Sequence, residues 1–286
     1  MFDPFDWQLV HGRAMELGPR AVVMGVLNVT PDSFSDGGRH DDTSAALLHV
    51  ERMVGEGASI IDIGGESTRP GAAPVTAAQE QDRILPVIEA LAGRIDVVLS
   101  VDTYREETAR LAIAAGAHIV NDVWGLQREP GIARVAAETG AGLVIMHTGR
   151  ERQKQPDVID DQLLFLSRSL EIASEAGVET ARILLDPGFG FAKETADENL
   201  DLMARFAELH ALGRPLLVGT SRKRFIGTVT GRDPAERAAG TAATSVILRM
   251  MGAVIFRVHD VAINVDALRM ADAMVARGVA AEKASR

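Results

Sequence analysis

The chain has 286 residues, of which 47% are hydrophobic and 24% charged, as in a globular protein long enough to bury a substantial core. It contains no cysteine, which excludes disulfides and thiolate metal sites, and its net charge of −10 argues against nucleic acid as a partner. No apolar run approaches the ~18–20 residues that cross a bilayer.

The N-terminal stretch MFDPFDWQLVHGR contains acidic residues and an early proline, and it lacks the basic-then-apolar order of a signal peptide. We therefore expect a cytoplasmic protein that does not bind membranes. Within residues 1–20, WQLVHGRAMELGPR is typical of a β-hairpin.

Eight short apolar runs rich in Val, Ile and Leu then follow, as expected of strands covered on both faces. The predicted strands are 21–29, 59–65, 97–103, 118–122, 142–147, 182–188, 215–221 and 254–260. Between them, helical spacing places Ala46, Val50 and Met53 on one stripe. The alternation predicts the α/β class and a single (β/α)8 TIM barrel spanning 1–286, with the hairpin plugging its bottom and an unstructured tail at 278–286.

The alternative to a barrel is an open doubly wound sheet. Such a sheet would carry a glycine-rich phosphate-binding fingerprint after its first strand. Here the first strand runs into NVTPDSFSDGG, which matches neither G-x-G-x-x-G nor a Walker A loop. The sequence therefore favours the barrel.

Polar residues occupy the last inward-facing positions of several predicted strands, where barrel enzymes keep their chemistry. They are Asn28, Asp102, Asn121, Asp186, Arg257 and His259, with Arg69 and Lys223 just beyond two further strands. Taken singly, such a carboxylate could cap a helix or pair with a neighbouring cation, and Asp62, Asp122 and Asp260 are interpreted as structural. Capping does not explain so many charged groups on one rim, because a buried charge costs several kcal/mol unless it is paired or bound.

These side chains form two groups of different chemistry. Asp102, Asn121, Asp186 and Lys223 suit a flat heterocycle whose N–C–N edge a carboxylate grips through two parallel hydrogen bonds.

The second group comprises Arg69, Arg257, His259 and the strand-tip Asn28. Two guanidinium groups, an imidazole and an oxygen ligand suit a pyrophosphate with one Mg²⁺.

Phenylalanine is placed selectively near this rim. The chain has nine Phe, and Phe34, Phe189 and Phe191 all fall in loops at the predicted mouth. We expect them to bound an aromatic ligand, although PGFG could also be a tight turn whose rings close the barrel rim.

Seven motifs together resemble the dihydropteroate synthase family of folate biosynthesis. They are LNVTPDSFSDGG, DIGGESTRPGA, SVDTYR, IVNDVWG, LLDPGFGF, VGTSRKRFIG and RVHDV, from about residue 20 to 261. The resemblance implies a homodimeric TIM-barrel transferase that uses Mg²⁺, joins a pterin methyl pyrophosphate to p-aminobenzoate and is the sulfonamide target.

The resemblance also implies a role for each matching position. The pterin would be held by Asp102, Asn121, Asp186 and Lys223; the pyrophosphate by Arg69, Arg257 and His259; Mg²⁺ by Asn28; and p-aminobenzoate by Phe34, Thr68, Pro70, Phe189 and Phe191. Its carboxylate would lie at the start of the helix after Lys223.

An SN1-like path would follow, because loss of pyrophosphate from a methylene on an electron-rich pterin gives a resonance-stabilised cation. Mg²⁺ and the arginines would stabilise the departing charge. In the family picture Asp36 and Asp102 stabilise the cation, while the opening loop folds over the pyrophosphate on its Gly37-Gly38 hinge. The neutral arylamine then attacks, so Asp36, Asp102, Lys223 and Arg257 are the expected catalytic residues.

Two departures from the family pattern affect the loops. The fifth strand continues as MHTGRERQKQP, which is shorter and more charged than the usual Met-His-x-x-Gly with a nearby Pro, and Ala192 stands where Gly is common. Two alternatives stay open: a methyltetrahydrofolate–corrinoid methyltransferase, which would not need phosphate-facing arginines, and a paralogue that binds pterin without turnover.

Overall fold

Eight parallel strands form a barrel in the computed structural model, which describes residues 2–30, 39–66 and 75–284, the side chains of 39–42 and 279–284 excepted. The strands are β1 (Phe5–Gln8), β2 (Ala14–Leu17), β3 (Val22–Asn28), β4 (Ile60–Gly64), β5 (Val98–Asp102), β6 (Ile119–Asp122), β7 (Gly142–Met146), β8 (Ile183–Asp186), β9 (Leu217–Val218) and β10 (Ile255–Val258). The antiparallel pair β1–β2 is the predicted hairpin.

Helices follow the barrel strands. They are α1 (Arg39–Gly55), α2 (Ala77–Ala92), α3 (Glu106–Ala114), α4 (Gly131–Thr139), α5 (Val158–Glu175), α6 (Ala196–Ala204), α7 (Arg224–Thr230), α8 (Ala238–Met250) and α9 (Val261–Ala284). The sequence fixes several of their ends: Thr76 and Thr195 start α2 and α6 with capping boxes, and Gly140 ends α4 at φ 76°.

Strand order confirms the predicted barrel. The strands pair in parallel from β3 through β8, and β10 pairs with both β3 and β9. A single bridge between Leu185 and Leu216 joins β8 to β9 and closes the ring. Carboxyl ends of all eight strands therefore surround one mouth.

The seventh barrel strand is shorter than predicted. The sequence predicts a strand over 215–221, whereas β9 covers Leu217–Val218. Pro215 has no N–H to donate to the ladder, although its carbonyl accepts a hydrogen bond from Leu185 N at 3.1 Å. The chain turns after β9, where Lys223 N donates to Thr220 O.

The lower barrel interior is apolar and is sealed by the hairpin. One cluster contains an inward residue from every barrel strand together with hairpin side chains: Met24, Ile60, Val98, Ile119, Val144, Leu184, Leu217 and Ile255, with Trp7, Leu9 and Leu17. Trp7 is fully buried, and its Nε1 donates to Arg182 O at 2.9 Å. Gly142 permits this packing, because a Cβ there would overlap Leu9 and lie 3.1 Å from Trp7 Cζ2.

The C-terminal helix is longer than expected. Helix α9 continues to Ala284 and so extends into 278–286, for which the sequence predicts an unstructured tail. Its last turns are rich in alanine, the strongest helix former. Buried Arg249 fixes α9 to the barrel bottom by donating to Asp272 at 2.7 Å and to Gly18 O at 2.8 Å. No helix of the described chain combines the length and apolar character needed to span a membrane.

Replacing Trp7 by Ala should lower the free energy of unfolding by about 3–5 kcal/mol, because it opens a cavity under the barrel. The rate of any reaction at the opposite mouth should stay near wild type. Denaturant titration measures the loss. Trp7→Phe, which keeps a ring but removes the bond to Arg182 O, is the control and should lose less; equal stability of Trp7→Ala and wild type would contradict the plug.

Candidate active site

A cavity of about 1290 Å³ opens at the carboxyl ends of the barrel strands. Six of the predicted site residues line it: Asn28, Asp102, Phe191, Lys223, Arg257 and His259. They come from β3, β5, β10 and the loops after β8, β9 and β10. The barrel thus brings residues from both halves of the chain to one mouth, as expected for this fold.

Asn121 and Asp186 lie buried next to these lining residues. They are 2% and 4% exposed, and Asn121 pairs in register with Asp102 on the neighbouring strand. An atom in the Cβ position of Gly219 would lie 3.9 Å from Arg257 Cβ and 4.0 Å from Asp186 Oδ2. Asp186 and Arg257 therefore meet at one point of the rim.

Arg257 connects the two groups that the sequence analysis separated. Its Nε donates to Asp62 Oδ2 at 2.6 Å, and its Nη2 donates to Asp102 Oδ2 at 2.7 Å. Burial acts to lower the pKa of Arg257, but the two carboxylates outweigh it and raise the pKa above its usual value. The guanidinium therefore stays charged and holds both carboxylates together.

Asp102 is poised between its two protonation states. Burial raises the pKa of Asp102 to about 7, while the Arg257 charge opposes the rise and Asp62 adds to it. A desolvated carboxylate beside both a cation and another carboxylate is typical of functional sites.

Asp62 is a site residue that sequence reasoning missed. The sequence predicts an interior structural hydrogen bond, and the structure confirms hydrogen bonding, but the partners are the site residues Arg257 and Asn121. The signal was present in the pattern, because Asp62 shares the inward face of β4 and a buried carboxylate needs a buried cation.

Asp186 and Lys223 are the other two members of the group that the sequence analysis assigns to a flat heterocycle. Burial raises the pKa of Asp186 to about 6, and Gly188 N donates to its Oδ1 at 2.7 Å. Burial likewise lowers the pKa of Lys223 to about 8, with the Arg257 charge acting in the same direction. At neutral pH the pair offers one anionic acceptor and one cationic donor.

His259 is a neutral donor at the mouth. Burial lowers the pKa of His259 to about 4, and the Arg257 charge adds to the effect. Ser221 Oγ accepts from His259 N at 3.1 Å and lies 3.0 Å from its Nδ1. A neutral imidazole carries its proton on one of its two nitrogens, so His259 can donate to an anion through Nε2 when Ser221 Oγ donates to Nδ1.

Asp122 and Asp260, which the sequence analysis interprets as structural, hold loops in place. Asp260 receives two hydrogen bonds from Arg222, at 3.0 and 2.6 Å, which tie together the loops after β9 and β10. Asp122 accepts from Trp124 N and Leu126 N. Both interactions stiffen the segments that carry site residues.

The two phenylalanines of the sixth loop differ in environment. Phe191 lines the cavity, with Lys223 Nζ 4.1 Å from its ring centroid. Phe189 is fully buried in the outer core, 6.2 Å from the Phe225 ring, and does not line the cavity. Of the two, only Phe191 is therefore placed to touch a ligand in this conformation.

The charged loop after β7 is held against its neighbours. Arg152 donates to both oxygens of Asp161, at 2.8 and 2.6 Å, and Lys154 Nζ donates to Glu198 at 2.6 Å. The charges that set this loop apart in sequence therefore fix it to α5 and α6.

Lys193 and Arg150 are among the other cationic residues that line the cavity. Lys193 donates to Gly188 O at 2.9 Å and contacts His147 Nδ1 at 3.1 Å, and burial lowers the pKa of Lys193 to about 7. The Arg150 guanidinium lies 4.8 Å from the Phe191 ring. Sequence reasoning missed both, because neither ends a strand.

Phe34 and Asp36 of the opening loop, and Thr68, Arg69 and Pro70 of the second, lie outside the described residues. One side chain holds both flanks of the second loop: Arg105 Nη1 lies 2.8 Å from Glu66, and its Nη2 donates to Val75 O at 2.7 Å.

The donor set around Asn28 suits a metal ion only in part. Among the described residues no three His, Cys, Asp or Glu side chains cluster as a metal site. Asn28 nonetheless carries an amide oxygen at the end of β3 and lines the same cavity as Arg257 and His259. Such a position suits Mg²⁺ that arrives with substrate phosphates and keeps several waters.

The site combines two chemical capacities. Buried carboxylates and an amide can grip the polar edge of a flat ring, and a guanidinium with a neutral imidazole can receive an anionic leaving group.

Comparison with known proteins identifies the family. The family model described as "Pterin binding enzyme" matches residues 24–259. Dihydropteroate synthase of Bacillus subtilis is 48% identical over 273 residues, which is 95% of each chain.

Solved structures agree with the sequence match. Xanthomonas albilineans dihydropteroate synthase with 4-aminobenzoic acid matches with a TM-score of 0.88 at 44% identity, covering 95% of this chain and 99% of that one. The same enzyme in complex with 7,8-dihydropteroate gives a TM-score of 0.85 at 42% identity, with 94% and 99% coverage. The chain belongs to the dihydropteroate synthase family of pterin-binding enzymes.

Proposed function

We propose that the chain condenses 6-hydroxymethyl-7,8-dihydropterin pyrophosphate with p-aminobenzoate to form dihydropteroate and pyrophosphate. The observation that carries the proposal is the meeting of Asp102, Asn121 and Asp186 with Lys223 and Arg257 at one barrel mouth. Solved relatives with 4-aminobenzoic acid or 7,8-dihydropteroate support the substrate class.

The pterin ring would bind to the buried group. Asp186 accepts two hydrogen bonds from the amidine-like edge, which favours its ionised form. Lys223 donates to the carbonyl side of the ring, and Asp102 and Asn121 complete the polar rim. All four are buried or nearly so, which excludes water from competing for these contacts.

The pyrophosphate would extend toward Arg257 and His259, with Arg69 as a third donor. Arg257 supplies a permanent charge, and neutral His259 supplies Nε2–H without the cost of burying a second cation. To receive the leaving group, Arg257 has to share or exchange its bond to Asp102. That exchange would free Asp102 for the ring.

Asn28 would hold a Mg²⁺ ion together with phosphate oxygens of the substrate. When bound, the ion would neutralise negative charge on the pyrophosphate. We propose magnesium as the cofactor on the basis of this donor and the family resemblance.

The reaction would follow an SN1-like path. The bond between the methylene carbon and the pyrophosphate oxygen breaks, and the electron pair leaves with the pyrophosphate. Asp102, and Asp36 on the opening loop, stabilise the pterin cation electrostatically. The amine lone pair of p-aminobenzoate then forms the new C–N bond, and the nitrogen passes one proton to solvent water. No covalent bond to the protein is required.

The second substrate would approach from the cavity side of Phe191. The residues expected to bound it are Phe34, Thr68, Pro70 and Phe191, of which Phe191 lines the described cavity. Sulfonamide inhibition, a homodimer and a cytoplasmic location belong to the same proposal. Exposed apolar side chains on α8 and α9, among them Ile247, Met270 and Met274, are consistent with a second copy.

Incubation of the purified chain with the dihydropterin pyrophosphate, p-aminobenzoate and Mg²⁺ should yield dihydropteroate and one pyrophosphate per turnover, measured by chromatography. A sulfonamide should compete with p-aminobenzoate.

Asp186→Asn should reduce kcat/KM by about 100-fold or more, because it removes the anionic acceptor. Pterin binding without product would instead identify a non-catalytic paralogue, and methyl transfer from methyltetrahydrofolate would identify the alternative enzyme.

Affinity for the dihydropterin ring should peak between about pH 7 and pH 8. Below this window Asp102 and then Asp186 become protonated and lose acceptors, and above it Lys223 loses its proton and its charge. Calorimetric titration across pH 5–9 measures both limbs. Lys223→Arg is the matched control, because arginine keeps its charge and should remove the alkaline limb; an alkaline limb at the same pH in that variant would exclude Lys223 as its origin.

A further inference from the structure

Asp62 occupies the centre of the barrel below the site and has no role in the chemistry proposed above. It is the third residue of β4, fully buried, and lies in register with Val26 on β3 and Ser100 on β5. A carboxylate in this position costs several kcal/mol unless it is paired and hydrogen bonded. Its partners are therefore the reason it is tolerated.

One oxygen of Asp62 serves both groups of the rim. Oδ2 accepts from Arg257 Nε at 2.6 Å and from Asn121 Nδ2 at 3.1 Å. Arg257 belongs to the proposed leaving-group contacts and Asn121 to the ring contacts. Asp62 thus touches neither substrate but holds one residue of each group.

The bond to Asp62 decides which way the Asn121 amide faces. An ionised carboxylate can only accept hydrogen bonds, so the amide nitrogen must face Asp62 and the amide oxygen must face away. Asn121 Oδ1 is buried and has no hydrogen-bond partner among the described residues. A buried acceptor left without a donor is unfavourable, and a ligand N–H would relieve that cost.

Asp62 also fixes one end of the Arg257 guanidinium. Nε is committed to Asp62, deep in the barrel, whereas the bond from Nη2 to Asp102 lies at the rim. Release of Asp102 to the ring would leave the guanidinium anchored through Nε. Its outer nitrogens would then face the leaving group.

We propose that Asp62 is a positioning residue, whose Oδ2 turns Asn121 Oδ1 toward an N–H of the pterin ring and anchors Arg257 for the leaving group. The inference rests on the proposed function. It specifies that the ring edge next to Asn121 presents a hydrogen-bond donor.

The variant Asp62→Asn keeps the shape of the side chain but no longer dictates the amide orientation of Asn121. We expect its Kd for 6-hydroxymethyl-7,8-dihydropterin, measured by calorimetry, to rise about 10-fold or more. The double variant Asp62→Asn/Asn121→Asp restores an obligate acceptor at position 121, so ring affinity should recover to within about threefold of wild type. Turnover should remain low in both, because Arg257 loses the negative charge that anchors its Nε.

Asp122→Asn is the matched control. It makes the same change in a fully buried carboxylate beside Asn121, but Asp122 caps backbone N–H groups on the helix side. It should lower thermal stability and leave the ring Kd within about twofold. Failure of the double variant to regain ring affinity, or an Asp62→Asn variant that binds the ring as wild type does, would overturn the inference.

The outcome is separable from the proposed function. If the wild type turns over and the Asp62→Asn variant binds the ring normally, the positioning role alone is rejected. If the wild type does not bind the ring, the positioning role and the proposed function are both rejected. If Asp62→Asn does not fold, a crystal structure of the wild type with the dihydropterin decides the matter. Asn121 Oδ1 within about 3.2 Å of a ring N–H is expected, and an amide rotated away from Asp62 would contradict the proposal.

Discussion

The site depends on two ion pairs, which the guanidinium of Arg257 makes with Asp62 and with Asp102. The carboxylates of Asp62 and Asp102 on adjacent strands would repel each other in a buried barrel, and Asp186 lies close enough to act on the same guanidinium. One permanent cation at their centre makes the cluster possible. In the proposed function Asp102 also contacts the ring, so its 2.7 Å bond to Arg257 would couple substrate binding to a rearrangement of this ion cluster.

The barrel supplies the rigidity that such a cluster needs. Its lower interior is a closed apolar layer sealed by Trp7 and its hairpin, so the chemistry is confined to the upper layer. Ion pairs also hold the loops at the mouth in place: Arg222 pairs with Asp260, and Arg152 pairs with Asp161. Packed strands below and ion-paired loops above keep buried charges in place before substrate arrives.

The barrel, the hairpin and the inward-facing residues could be predicted because they follow from local patterns: apolar runs, period-two alternation and turn chemistry. The pairing of Asp62 with Arg257 could not, since the two residues are far apart in sequence and alternation specifies a face without specifying a partner. Nor could the burial of Phe189, which depends on packing against Phe225 from another loop. The short β9 reflects Pro215, whose missing N–H is visible in the sequence.

The most direct test of the ion cluster is a double-mutant cycle in the free energy of unfolding, with Asp102→Asn, Arg257→Gln and the double variant. Arg257→Gln alone leaves buried carboxylates without a cation, so the second substitution should be less damaging in that background than in the wild type. We predict a coupling energy of about 1–3 kcal/mol. Additivity within about 0.3 kcal/mol would contradict the central place of Arg257.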